Sequence, residues 1–204
     1  MAGRIQIKIT SFVIFASLLC LAASCNVPAK TTDLFFYTTD SVKSGDIILR
    51  KSYGLISDLI VAQLNDTLDI SHCGIIIKDS SGTFKVIHSL SDKVSDVDGV
   101  QVCELDNFMK DSQLKTVRVV RYKNADSHKI ALMAQDYLRR KVPFDDDFNS
   151  KDTTTLFCSE LPVLIIRNCF GPDISNGAEK PKFSMFLQTD YFREIDFIKK
   201  RIDN

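Results

Sequence analysis

The sequence predicts an α+β fold in one domain, an antiparallel sheet with packed helices. Its 204 residues, of which 45% are hydrophobic and 25% charged, are typical of a globular domain of moderate size. Fourteen Phe and five Tyr supply bulk for a core although Trp is absent. Antiparallel strand patterns occur beside helical patterns that are grouped apart from them, and there is no internal repeat.

The predicted elements begin after a turn at Gly45-Asp46. The apolar run 47–49 predicts a strand, and the spacing of apolar residues over 55–64 predicts a short helix. One face of that helix carries four aliphatic side chains: Leu55, Leu59, Ile60 and Leu64.

A β-hairpin is predicted next. Residues 73–77 are almost continuously apolar, which is typical of a strand buried on both faces. The turn residues 80–82 lead into a second strand over 84–88.

The remaining elements are predicted from the same periodicities. They are a short strand at 100–102, a short helix at 105–109, a strand at 117–122, a helix from the cap Asp126-Ser127 to about Arg140, and an apolar helix from about Cys158 to Asn168 ended by Gly171-Pro172. The helix after Asp126 is predicted to bury Ile130, Met133, Ala134, Tyr137 and Leu138.

The charge balance excludes one group of functions. The chain has 26 basic and 26 acidic side chains and a pI near 6.8. The chain has no excess of positive charge that would attract phosphate groups. Nucleic acid is therefore not an expected partner, and a polybasic membrane-surface protein is disfavoured.

The first 25 residues are predicted to be an export signal. Arg4 and Lys8 precede the apolar run Ile9–Ala23, which is shorter than the roughly 20 residues that a membrane span needs. Small residues directly before Cys25 resemble a bacterial lipoprotein box, so Cys25 is the expected lipidation site. A Leu usually lies three residues before the cysteine, whereas here it lies four before, which keeps cleavage without lipidation as an alternative.

The organisation that follows is a signal over residues 1–25, a polar tether over 26–44 and one domain over 45–204. We expect an exported protein of the bacterial cell envelope, held at the membrane through a lipid anchor.

Four cysteines remain in the domain: Cys73, Cys103, Cys158 and Cys169. They allow three full pairings, and the sequence does not choose between them. Cys158 and Cys169 are predicted on one helix, roughly 16 Å apart and too far for a disulfide. We interpret the other three as buried small hydrophobic residues.

Two of the three histidines are predicted to meet. His128 lies in the first turn of a capped helix and is interpreted as solvated. His72 begins the first hairpin strand and His88 ends the second, so both lie at the open end of the hairpin, within hydrogen-bond reach of each other.

Cys158 is the candidate nucleophile. A thiol at the start of a helix gains from the helix dipole, and a neighbouring imidazolium would favour the thiolate further. Pro162 supports this start, because proline is tolerated in the first turn of a helix.

Four segments together resemble one family. They are Gly45-Asp46-Ile47-Ile48-Leu49-Arg50, Ser71-His72-Cys73-Gly74-Ile75, Val142-Pro143-Phe144-Asp145 and Phe157-Cys158-Ser159-Glu160-Leu161. In this order they are similar to the YaeF/YiiX-like group of permuted papain-like cysteine hydrolases, circularly permuted relatives of NlpC-type cell-wall peptidases. The resemblance covers about residues 45–168. It implies a circularly permuted papain-like (NlpC-type) fold in which histidine precedes cysteine along the chain.

The resemblance also implies roles for three side chains. Cys158 matches the nucleophile, His72 its base, and His88 the third, orienting group. Many members have a carboxylate near that third position, whereas NlpC-type relatives frequently use His. The chain departs from the family pattern at Cys73, where an aliphatic residue is usual, and at Pro162.

The implied chemistry is acyl transfer through a thioester. The thiolate attacks a carbonyl, His72 protonates the leaving amine and then activates water, and His88 holds the His72 ring. The Cys158 N–H is expected to meet the oxyanion, with Tyr53 and Ser57 as candidates for a second donor.

Nearby carboxylates are not expected to react. Glu160 suits a capping or buried structural role, and the run 145–147 is interpreted as solvated because no spacing supports calcium. Neither a cofactor nor a metal is expected.

The expected function is an exported cysteine amidase or endopeptidase. Its partner would be a small peptide, a peptidoglycan fragment or an acyl-amide substrate. Two alternatives remain: a thiol acyltransferase or lipid-directed hydrolase, and a non-catalytic envelope binding module of the same fold.

Overall fold

A computed structural model describes residues 35–124 and 126–200. The elements along these residues are β1 (Phe35–Tyr37), β2 (Ile47–Arg50), α1 (Leu55–Leu64), β3 (His72–Lys78), β4 (Phe84–Leu90), β5 (Gly99–Glu104), α2 (Leu105–Lys110), β6 (Arg118–Tyr122), α3 (Ser127–Arg140), α4 (Glu160–Phe170), β7 (Phe192–Ile195) and β8 (Ile198–Lys200). Short 3-10 helices lie at Leu114–Thr116 and Phe183–Leu187.

The strands form one large and one small antiparallel sheet within the described residues. The six-stranded sheet has the order β5-β4-β3-β2-β6-β7, and β1 pairs with β8. The paired strands are all antiparallel and the helices lie between them along the chain, so the α+β prediction of helices packed on an antiparallel sheet is confirmed.

The large sheet is covered on both faces. The first core includes Ile75 and Ile87 of the hairpin and packs against α3 and α4. The second core includes Ile76 and Val86 and packs against α2 through Phe108. Because side chains alternate along a strand, neighbouring residues of β3 and β4 belong to different cores. The prediction that β3 is buried on both faces is confirmed.

The hairpin turn forms as predicted. The Asp79 carboxylate accepts hydrogen bonds from the backbone N–H groups of Ser81 and Thr83, both at 2.9 Å. This local network fixes the register, in which Lys78 pairs with Phe84 and Ile75 with Ile87.

Strand β1 lies inside the segment that we expected to be a tether. Its three aromatic residues favour extended backbone, and the Tyr37 ring stacks on Phe197 with centroids 5.2 Å apart. A buried ion pair lies just beyond it, where Arg121 Nε donates to Asp46 Oδ1 at 2.6 Å.

Two helices differ from their predictions in detail. Helix α1 has the predicted bounds, but Leu55 and Leu59 are exposed by 72% and 57%, and its buried residue is Ser57. Helix α4 begins at Glu160, so Cys158 precedes the helix and does not share it with Cys169. Helix α3 is capped as predicted, since the Asp126 carboxylate accepts from the His128 N–H at 2.9 Å.

No helix between residues 35 and 200, Ala125 aside, is long and apolar enough to cross a membrane. The expected export signal, Cys25 and the tether up to residue 34 lie outside the described residues.

Candidate active site

Cys158 lies in a turn two residues before α4. Glu160 closes this turn, because its carboxylate accepts from the Phe157 N–H at 3.1 Å. The segment before it is fixed to β4, since Ser89 Oγ donates to the Leu156 carbonyl at 2.7 Å. The thiol is thus presented at the N-terminal end of α4, and Pro162 falls in the first turn of the helix, where proline is tolerated.

The segment 156–158 crosses the open end of the hairpin. This open end consists of residues 72–74 of β3 and 88–90 of β4, which lie beyond the paired register that stops at Ile75 and Ile87. Gly74 brings the strands close here, since a Cβ on it would lie 2.4 Å from Val86 Cγ1 and 3.2 Å from His88 Cβ.

The two hairpin histidines meet, as predicted. His72 Nε2 lies 2.8 Å from His88 Nδ1, and both side chains are buried. Both rings pack on Phe108, with centroids 5.7 and 5.6 Å away. Since Phe108 belongs to the second core, the imidazole pair lies on the α2 face of the sheet.

Arg50 completes the polar group on that face. It pairs with His72 across β2 and β3, and its Nη1 donates to the Phe108 carbonyl at 2.7 Å. The guanidinium also lies 4.1 Å from the centre of the Phe108 ring. Within the described part of the chain, Arg50 Nε and His88 Nε2 are buried without a hydrogen-bond partner.

This buried environment favours the neutral form of the His72 and His88 imidazoles. Burial lowers the pKa of His88 to about 3, and the Arg50 charge acts in the same direction. Burial, His88 and Arg50, in that order, hold the pKa of His72 well below its ordinary value. His72 is therefore present as a neutral base at neutral pH, and an imidazolium does not stabilise the thiolate as the sequence had suggested.

The Cys158 thiol is activated by other neighbours. Its pKa is lowered, first by hydrogen bonding with the Cys73 side chain and then by the backbone amides of Cys73, Ser159 and Cys158. Burial raises the pKa of Cys73 well above its ordinary value, so Cys73 stays protonated. Its Sγ also donates to the Cys158 carbonyl at 3.2 Å.

The histidine pair and Cys158 approach the open end from opposite faces. Cys158 packs against the first core beside Cys73, whereas His72 faces the second core. Among the described residues, the hydrogen bonds of the site join His72 to His88 and Cys73 to Cys158, and none joins Cys158 to His72. The thiol nevertheless lies beside the backbone amide of the residue that follows His72.

The other candidates have structural positions. Burial raises the pKa of Glu160 to about 7, and its carboxylate caps the turn described above. Asp145 is buried and accepts from the Asn149 N–H at 2.6 Å, whereas Asp146 and Asp147 are exposed as expected for the run. His128 is exposed, as predicted.

The two candidates for a second oxyanion donor differ. Tyr53 is 67% exposed, whereas Ser57 is buried and its hydroxyl donates to Ser71 Oγ at 2.6 Å. That bond ties α1 to the residue before His72 but occupies the hydroxyl of Ser57.

Among the described residues, no group of three or more His, Cys, Asp or Glu side chains is placed so that it could hold a metal ion. A cavity of about 570 Å³ is lined by Phe35, Lys115 and Glu194 among others and contains none of the three predicted catalytic residues. The candidate site is therefore identified by its reactive side chains and not by this cavity.

Arg50 and Phe108 were missed by sequence reasoning. The available signal was a charged residue at the end of an apolar strand, since Arg50 follows Ile47–Leu49 directly. Phe108 carried no signal, because an aromatic residue in a short amphipathic helix is ordinary.

Comparison with known proteins shows similarity to a family model and to a solved structure. A family model described as permuted papain-like amidase, YaeF/YiiX, C92 family, matches residues 41–183, a range that includes all three predicted catalytic residues. The crystal structure of YiiX from Escherichia coli O157:H7, titled a metalloprotein, has the same fold, with a TM-score of 0.52 and 23% identity over 65% of this chain and 69% of that chain. A search of curated proteins found no match.

Proposed function

This chain belongs to the YaeF/YiiX family of permuted papain-like amidases, and from that membership we propose that it is a cysteine amidase acting on small peptide or acyl-amide bonds. The main support is that β3, β4 and the turn before α4 come together at the open end of the hairpin, with Cys158 and the histidine pair approaching it from opposite faces. The turn before α4 brings Cys158 to the open end of the hairpin, where His72 and His88 are already hydrogen-bonded.

The first step is attack by the Cys158 thiolate on the amide carbonyl. The carbon–sulfur bond forms, and the carbonyl oxygen becomes an oxyanion beside the N-terminal end of α4. Backbone N–H groups there, including that of Cys158, favour negative charge.

His72 supplies the proton transfers. Its Nε2 bonds with His88, which leaves Nδ1 for exchange with the thiol and the substrate. Neutral Nδ1 first accepts the proton of the Cys158 thiol, which forms the thiolate, and it passes that proton to the leaving amine as the carbon–nitrogen bond breaks, so that a thioester remains. His72 then takes a proton from the water that attacks the thioester and returns it to the Cys158 sulfur as the carbon–sulfur bond breaks.

The proposal requires that His72 Nδ1 reach the Cys158 thiol past the end of β3. His72 is the first residue of β3, so no further residue of this strand lies between the two groups. Hydrogen bonds between catalytic groups are often long in free enzymes and shorten when the substrate binds.

A peptide substrate from the cell envelope, including a peptidoglycan fragment, fits an exported amidase. One observation favours the lipid-directed alternative. Tyr53, Leu55, Ile56 and Leu59 present exposed apolar side chains at the start of α1. Ser57 of the same helix bonds to Ser71, the neighbour of His72, so this apolar surface borders the site.

Turnover of defined substrate pools tests the function. The purified protein and a Cys158→Ala control are incubated with peptidoglycan digests, with γ-linked peptides and with acyl lipids. New amines from the peptide pools, absent with the control, support the amidase. Release of fatty acid supports the lipid-directed hydrolase, and binding without turnover in every pool supports the non-catalytic module.

We also propose that Cys25 carries a lipid anchor in the cell envelope. The support is the sequence alone, an apolar run followed by small residues and a cysteine. Cys25→Ser is expected to move the protein from the membrane to the soluble envelope fraction, whereas an intact mass without lipid at Cys25 would contradict the proposal.

A further inference from the structure

Cys73 is the feature of the site that the amidase mechanism does not use. It is fully buried, and the Cys158 side chain is among the neighbours that raise its pKa. Its Sγ also lies 3.2 Å from the Cys158 carbonyl oxygen, so the two residues are in direct contact although they are 85 positions apart in sequence. Both thiols are free.

The surroundings shift the pKa values of the two thiols in opposite directions. Cys158 is partly exposed, so a small oxidant can reach it, and its lowered pKa favours the reactive thiolate form. Cys73 is buried and remains a protonated thiol, and it contacts Cys158, whose sulfur would react first. Redox-sensing cysteines commonly have this arrangement of a reactive thiolate next to a second cysteine.

We propose that Cys73 and Cys158 form a reversible disulfide under peroxide, which switches the enzyme off and protects its nucleophile. The proposal assigns a function to Cys73 at a position where the family usually has an aliphatic residue. It rests on the contact between the two residues and not on the identity of the substrate.

The disulfide forms in two steps. The Cys158 thiolate attacks one peroxide oxygen, the O–O bond breaks, and the leaving oxygen takes a proton, which yields a sulfenic acid and an alcohol or water. Cys73 then attacks the Cys158 sulfur, the S–S bond forms and the S–O bond breaks. The departing hydroxide takes the Cys73 proton and leaves as water, and a dithiol reverses the reaction.

Without Cys73, the same oxidation is expected to continue. A sulfenic acid that finds no thiol is oxidised to sulfinic acid, which a dithiol does not reduce. The variant Cys73→Val therefore converts a reversible inactivation into an irreversible one. Cys103→Ser is the control, because Cys103 is another free cysteine but packs against the second core, whereas Cys158 packs against the first.

The test is peptide mapping without reduction after treatment of the purified protein with hydrogen peroxide. The expected product is a peptide pair linked through Cys73 and Cys158, two hydrogen atoms lighter than its parts, together with loss of Cys158 alkylation that dithiothreitol restores. Cys103→Ser should behave in the same way, and Cys73→Val should lose the link and the recovery.

Three results would overturn the proposal. They are sulfinic acid at Cys158 of the unaltered protein with no linked pair, a link from Cys158 to Cys103 or Cys169, and full recovery in Cys73→Val. The linked pair is detected by mass in the absence of substrate, so its presence or absence is independent of whether the amidase assay succeeds.

Discussion

Cys73 and Cys158 carry the same functional group, and their pKa values are shifted in opposite directions. Burial disfavours charge on Cys73, whereas Cys158 receives hydrogen bonds from Cys73 and from backbone amides at the beginning of α4. The difference therefore comes from one turn of backbone and one neighbouring side chain. Differences of this kind separate reactive from unreactive thiols.

The two histidines are predicted to contribute unequally to turnover. His72→Ala removes the group that moves the proton, so kcat should fall by roughly 10²–10⁴-fold. His88→Ala leaves a base but releases its ring, so the loss should be smaller, and His88→Gln should restore part of it through a hydrogen bond. Single-turnover rates of the three variants measure this. If His88→Ala matches the unaltered protein, His88 has no orienting role.

Arg50 is predicted to set the pH at which the imidazoles take up a proton. Burial is the main cause of their low pKa, and the Arg50 charge adds to it. Removing that charge in Arg50→Met should raise both pKa values, whereas Arg50→Lys keeps the charge and should shift them little. Titration of the imidazole NMR signals measures the shift. Identical midpoints in the two variants would rule out an effect of the charge.

At the scale of an element, the hairpin places the histidines by its register. The turn residues and the alternation of side chains were readable from the sequence, and with them the meeting of His72 with His88, now seen at 2.8 Å. The side of the sheet reached by Cys158 was not readable, because it depends on contacts such as that of Ser89 with Leu156 between distant segments.

Helix α1 shows the same limit of sequence reasoning. Its bounds follow from local periodicity, but the face it buries depends on its docking partner. Ser57 bonds to Ser71, and this polar contact turns Leu55 and Leu59 outward. Likewise, α4 begins two residues later than predicted because Glu160 caps the turn that contains Cys158.

Gly74 is predicted to be required for the close approach of β3 and β4. In Gly74→Ala the new Cβ would lie 2.4 Å from Val86 Cγ1, so overpacking should lower the free energy of unfolding by about 1–3 kcal/mol. The adjacent His88 Cβ, at 3.2 Å, should also shift, and turnover should fall. Urea unfolding and single-turnover rates measure the two effects.

Val86→Ala provides the control for that substitution. It removes the methyl group that the new Cβ meets, so the double variant Gly74→Ala with Val86→Ala should lose less stability than the sum of the single variants. Strict additivity would show that steric contact at Val86 is not the cause.

At the scale of the whole molecule, buried titratable groups link stability to pH. His72 and His88 have folded pKa values below their unfolded values, so the unfolded chain binds more protons below about pH 6.5 and stability falls as the pH falls. Glu160 acts in the opposite direction, because its pKa of about 7 lets the folded state keep a proton that the unfolded chain releases. Between about pH 4.5 and 6 the two histidines outweigh the one glutamate.

Replacing one histidine should therefore reduce the pH dependence of stability. His88→Gln is expected to lower the slope of the free energy of unfolding by about 1.4 kcal/mol per pH unit over that interval. Urea unfolding at several pH values measures the slope, with the exposed His128→Gln as the control. An unchanged slope in His88→Gln would mean that His88 is not buried in its neutral form.

The proposed role of Cys158 as the nucleophile can be tested by competitive alkylation. The reduced protein is treated with limiting iodoacetamide at neutral pH, and the labelled cysteines are mapped by mass spectrometry. Cys158 should be labelled first, because its pKa is lowered while burial raises those of Cys73, Cys103 and Cys169. Labelling of Cys73, Cys103 or Cys169 ahead of Cys158 would contradict the assignment.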